Sequence, residues 1–131
     1  MNIKNAKNRL MIIGSTWEQI PLISQAKDMG CYVLGTDTDV NAEGLQFVDE
    51  KAIVSPRSLY ELLEIAKKFK PDGITADECD YSHFAAVYIS ERLGLNNDGL
   101  EAAQNTGNKY IMRSQALEGR IVQPRFFSCN T

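Results

Sequence analysis

RLMIIGSTWEQIPLISQAKDMGCYVLGTDTD, residues 9–39, sets an apolar run, a helical repeat and a second apolar run in direct succession. Leu10 to Ile13 is apolar on both faces, as suits a parallel strand covered by helices on each side, and this places it at the centre of a sheet. Ile20, Leu22, Ile23, Ala26 and Met29 recur near helical spacing. Pro21 suits a first helical turn, and Gly30 stands where a helix closes in a left-handed cap. The spacing predicts a helix over 20–29 and a strand through YVLGTD. Strand, helix and strand make one βαβ unit, whose crossover is right-handed in nearly every instance. Its loops then open at the carboxyl ends of the strands, the side on which open α/β sheets take ligands. Function is expected at Gly14 to Gln19 and at Asp37 to Asn41.

Composition narrows the classes. At 131 residues, 44% hydrophobic and 24% charged, the sequence reads as one ordinary globular domain. A net charge of -3 lacks the basic excess that nucleic acid demands, so no nucleic-acid partner is expected. No apolar stretch reaches the roughly 18 to 20 residues that span a bilayer, and the first residues do not have the form of a signal peptide. No membrane partner is expected, and the expected location is the cytoplasm. Cys31, Cys79 and Cys129 are widely separated and in no paired spacing, which reads as reduced thiols rather than a zinc site or a disulfide framework.

Beyond Asp39 a polar segment with Asn41 and Gly44 leads to a third short strand at 52–54. Ser58-Leu59-Tyr60-Glu61 has the capping-box form. Leu59, Leu62, Leu63, Ala66 and Phe69 follow at helical spacing, and Pro71 stops the helix. GITA, 73–76, is a fourth strand ending in acids, and Ser82 is placed to cap the next helix, which Gly94 terminates. The order βαββαβα, or βαβαβα if 40–50 forms one corner, gives a Rossmann-like layered α/β domain with a mostly parallel sheet flanked by helices. A helical patch at 100–104 and an amphipathic helix ending at Gly119 come next. IVQPRFF, 121–127, reads as one more extended segment. An apolar strand with nothing after it to pair or cover it leads us to expect a piece of a larger protein.

Candidate site residues gather at the predicted strand ends. Gly14 and Ser15 begin a turn that feeds a helix, and such a turn can offer amides and hydroxyls to a carboxylate or phosphate. It is not GxGxxG: Thr16 and Gln19 stand where further glycines would admit a pyrophosphate, so a dinucleotide is disfavoured there. Asp37 can accept hydrogen bonds from ribose hydroxyls or a substrate amine, or equally cap its own loop. Among Asp77, Glu78 and Asp80, Glu78 is the favoured polar substrate contact; three carboxylates with no recognisable fourth ligand argue against a metal. His83 reads as structural or solvated. Trp17 either stacks a ligand or covers the core. Lys109 reads, by itself, as a solvated lysine at a helix start.

Taken together, residues 14–39, the run from ELLEIAKKF through ADECDYSHF to Leu95, and NTGNKYIMRSQALEGRIVQPRFF resemble the amino-terminal part of ATP-grasp enzymes, of the carbamoyl phosphate synthetase-like kind. The carriers are the Gly14 and Gln19 turn, Asp37, the acidic end of the fourth strand, and Asn108-Lys109 followed by a helix, Gly119-Arg120-Ile121 and Pro124. The resemblance implies a pre-ATP-grasp domain over 1–98, then connecting helices and the start of an ATP-grasp domain over 99–131. It implies that Gly14, Ser15, Gln19, Asp37 and Glu78 contribute to the site of a small carboxylate or amine substrate. Lys109 matches the position whose cation touches ATP phosphate. ATP and Mg²⁺ would then act in the full-length parent, with the rest of the ATP-grasp domain as the missing partner. The glycine-rich flap and the acidic Mg²⁺ ligands of the family fall outside this sequence, so this polypeptide alone is expected to be inactive and to bind neither ATP nor Mg²⁺ tightly. Two other classes remain in view: a stand-alone Rossmann-like module for a nucleotide or sugar nucleotide, and a structural α/β domain that forms a homodimer.

Overall fold

The computed structural model describes residues 8–129. Four strands, β1 (Arg9–Ile13), β2 (Tyr32–Asp37), β3 (Glu50–Ile53) and β4 (Gly73–Ala76), form one sheet in the order β3-β2-β1-β4. Every pairing is parallel, with Met11 opposite Leu34 on one side and Ile74 on the other. The helices are α1 (Ile20–Asp28), α2 (Leu59–Phe69), α3 (Asp80–Leu93), α4 (Leu100–Gly107) and α5 (Lys109–Glu118).

The alternation of a strand explains the layering. Met11 and Ile13 point to one face, where Leu34, Leu62, Ala66, Phe69, Ala85 and Ile89 of β2, α2 and α3 meet them. Ile12 points to the other, against Val33 and, from α1, Ile23 and Ala26. All three β1 side chains are fully withdrawn from water. Each such burial contributes about 1.5–3 kcal/mol, which is why an uninterrupted apolar run belongs at this central position. At the amino ends of the strands, Arg9 stacks on Phe69 at 4.1 Å and donates to its carbonyl at 2.8 Å, tying α2 to β1. Lys27 of α1 pairs with Asp49, whose other oxygen accepts from the Val33 amide at 2.7 Å.

The α/β class, the central first strand and the βαββαβα order agree with the sequence reading. Three local expectations do not. Residues 121–127 form no strand: the segment turns back on α5, with Gln123 donating to the Arg113 carbonyl at 2.8 Å and Phe126 edge-on to Tyr110. Pro124 lacks an amide to donate, and a strand without a sheet edge has no backbone partners. Ser58 does precede α2, but its hydroxyl caps no amide of the helix. Ser82 lies buried inside α3, and Cys79 is the residue that precedes that helix. Among the described residues no helix is long and apolar enough to cross a membrane.

Candidate functional site

The parallel sheet delivers the turns after all four strands to one edge. β1 lies between β2 and β4, and the helices that follow β1 and β4 depart to opposite faces. A crevice outside the carboxyl ends of the strands is expected at such a reversal, here between the β1 and β4 turns.

The β1 turn is built from its own hydrogen bonds. Gly14 has φ +103°, a left-handed conformation that a side chain would strain, and its amide donates to the Thr36 carbonyl at 2.9 Å. Ser15 is fully buried; its amide donates to Asp37 Oδ2 at 2.9 Å and its carbonyl accepts from Gly44 at 2.8 Å. Gly35 leaves room for the Ser15 hydroxyl: a β-carbon there would come within 2.7 Å of it. Gln19 is 3% exposed. Its Oε1 accepts from the Thr16 amide at 2.9 Å and the Thr16 hydroxyl at 2.7 Å, while its Nε2 donates to the Asp77 carbonyl at 3.2 Å. One side chain thus joins the β1 turn to the β4 turn.

Asp37 closes β2 and holds the neighbouring loop as well, accepting from the Asp39 amide at 3.0 Å. Glu78 is exposed, with φ +61°, a left-handed geometry uncommon for a residue with a β-carbon. Beside it, burial pushes the Cys79 thiol up, but hydrogen bonds from the Ser82 amide and hydroxyl and from the Tyr81 amide outweigh it. The net effect holds the thiol below its ordinary range. Asn108 caps α5 by accepting from the Tyr110 and Ile111 amides at 3.0 and 3.2 Å, so Lys109 leads the helix; its ammonium lies 3.5 Å from Asp80. His83 stands 3.9 Å from Asp98, and Trp17 is 66% exposed, so it does not cover the core.

Gly14, Ser15, Gln19 and Asp37 therefore come together, with Glu78 on the adjoining turn and Lys109 beside Asp80 at the start of α3. None of the six lines the cavity of about 650 Å³ that lies between α2, α3 and the α4–α5 corner, with Arg57, Tyr81, Phe84 and Ile111 in its walls. Sequence reasoning passed over that cavity. Its only sequence traces are the Pro56-Arg57 pair before one helix and the aromatic first turn of another.

The donor set also bears on nucleotide and metal. The Ser15 and Thr16 amides are already engaged by Asp37 and Gln19. Among the described residues no group of three His, Cys, Asp or Glu side chains is placed to hold a metal ion.

No protein-family model matches the sequence, and no curated protein matches it. Solved structures do. The chain is similar to phosphoribosylglycinamide synthetase from Anaerococcus prevotii, at 24% identity and a TM-score of 0.76 over 86% of this chain and 29% of that one. N5-carboxyaminoimidazole ribonucleotide synthetase from Thermotoga maritima gives 17% identity and a TM-score of 0.75, over 90% of this chain and 32% of that one. L-amino acid ligase from Bacillus licheniformis gives 18% and 0.73, over 92% and 32%. The chain shares the α/β fold of a part of each of these structures and spans about a third of their length.

Proposed function

We propose that this chain is the substrate-side amino-terminal domain of an ATP-dependent carboxylate–amine ligase, with residues 1–98 as that domain and 99–131 leading into an ATP-grasp domain. The observation that carries the reading is the parallel β3-β2-β1-β4 sheet, with its β1 and β4 turns meeting at the reversal, in a chain that matches about a third of ligase structures. In the whole ligase, ATP with Mg²⁺ supplies the phosphoryl group that activates a carboxylate for attack by an amine.

The residues of this chain have narrower tasks. Gly14, Ser15, Gln19 and Asp37 form a fixed wall of the acceptor side, pre-shaped by hydrogen bonds from Ser15 to Asp37, from Gly14 to Thr36 and from Gln19 to Thr16 and Asp77, so that a substrate meets it without reorganisation. Glu78, exposed on the adjoining turn, is the carboxylate free to meet an amine. Lys109, a flexible point charge, is the residue that would meet nucleotide phosphate, exchanging Asp80 for it. Among the described residues no group of three His, Cys, Asp or Glu side chains is placed to hold a metal ion, and the chain alone is expected not to turn over ATP. The protein would act in the cytoplasm on a small carboxylate or amine.

The test is the reading frame after Thr131 together with an ATP-hydrolysis assay of this polypeptide with Mg²⁺ and candidate acceptors. An in-frame ATP-grasp domain and no turnover are the expected results. Turnover by the polypeptide alone would overturn the inactivity. An immediate stop codon, with thermal stabilisation by a nucleotide or sugar nucleotide, would replace the ligase reading with the binding module.

A further inference from the structure

The cavity of about 650 Å³ between α2, α3 and the α4–α5 corner has the size of an ordinary small-molecule site, and its walls define a chemistry. Leu59 of α2, Phe84 of α3 and Ile111 of α5 supply apolar surface, and Tyr81 and Arg57 line the cavity as well. The Arg57 guanidinium lies 4.1 Å from the centre of the Tyr81 ring. Stacking holds the plane of an arginine while leaving its N–H edges directed outward. Among the described residues no carboxylate or carbonyl accepts from that guanidinium. Asp80, the acid in the same wall, is met by Lys109 at 3.5 Å. One positive charge is therefore left without a counter-charge beside an apolar hollow.

We propose that this cavity binds a small monoanion, a carboxylate carried on an apolar body, with Arg57 as its anchor. A planar carboxylate fits the guanidinium edge with two parallel hydrogen bonds, and the body of the ligand covers Tyr81, Phe84, Leu59 and Ile111. The Lys109–Asp80 pair brings no net charge to the wall, so a monoanion balances Arg57, whereas a phosphate monoester, at about −1.5 to −2, brings charge beyond it. The site stands apart from the β1 turn, and the proposal does not depend on the ligase reading.

The experiment is a titration of the isotope-labelled chain followed by amide NMR shifts, with 3-phenylpropionate, its neutral amide and 2-phenylethyl phosphate as probes. The carboxylate is expected to give saturable shifts at Leu59, Tyr81, Phe84 and Ile111, with the amide weaker by about tenfold or more and the phosphate no tighter than the carboxylate. Arg57→Gln should weaken the carboxylate by about tenfold or more and leave the amide unchanged. Gly107 lines the cavity, and a β-carbon added there meets no atom within 4 Å. Gly107→Leu should therefore occupy the hollow and weaken carboxylate and amide alike, at an unchanged melting temperature. No saturable shift with the carboxylate, equal binding of the amide, tighter binding of the phosphate, or an Arg57→Gln chain that binds as well as the parent would each overturn the proposal. Arg57 is exposed, so its substitution keeps the test valid if Gly107→Leu disturbs the fold.

Discussion

β1 is an uninterrupted apolar run and α5 carries apolar residues at helical spacing, yet they end in opposite surroundings. Met11, Ile12 and Ile13 of β1 have no exposure at all, whereas α5 has no buried residue and Leu117 is 64% exposed. The difference lies in the number of neighbours an element acquires. A central strand is hydrogen-bonded along both edges and covered on both faces, while α5 packs on α4 and the returning segment at 121–127. Regular apolar spacing therefore establishes that an element forms, and its place in the topology establishes how much it contributes to stability.

That contrast can be broken by measurement. Ile12→Ala removes a fully buried side chain from the strand between β2 and β4, packed against Val33, Ile23 and Ala26, and should cost about 2–5 kcal/mol in urea unfolding; a loss under about 1 kcal/mol would show that β1 is not central. Gly44→Ala should cost about 1–3 kcal/mol, because the added β-carbon would stand 2.6 Å from the Ser15 carbonyl oxygen, and backbone yields less readily than a side chain. A cost near zero would mean that the β1 turn is looser than its hydrogen bonds indicate. Cys79 sharpens the comparison at the sheet edge. Its thiol is held below the ordinary range, so at a given pH more of it is thiolate, and thiolate is the reacting form. Its alkylation in the folded chain should therefore reach half its maximal rate at a lower pH than in the same chain in denaturant. Coincident profiles would remove the hydrogen bonds of the α3 start from the account. At the small end, Leu117→Ala in α5 should change stability by no more than about 0.5 kcal/mol, and a larger loss would give α5 a structural weight its exposure denies.

Most of the fold was legible. Leu10 to Ile13 announced a strand covered on both faces, Pro21 and Gly30 bounded α1, and Pro71 ended α2, although the left-handed cap there is Lys70 rather than a glycine. These features are local, and local sterics write them directly into sequence. The strand expected at 121–127 was illegible because pairing depends on a free edge elsewhere in the molecule. The same holds for the site. That Gly14, Ser15, Gln19 and Asp37 share one edge follows from strand order, but the direction of each hydrogen bond does not. Nothing in the spacing tells whether Gln19 faces a ligand or, as here, grips Thr16 and the Asp77 carbonyl. The cavity at Arg57 draws its walls from three segments far apart in sequence, 56–59, 80–84 and 103–111, so no window of residues contains it.

Gln19 has one further implication. An amide carries no charge to lose to acid or to have screened by salt, so the link it makes between the two turns is insensitive to acidity and ionic strength. The Lys27–Asp49 pair that secures α1 to the loop before β3 enjoys no such immunity, since its attraction is partly exposed to mobile ions. Brine would relax the outer flank of the sheet while leaving the junction of β1 and β4 as it is.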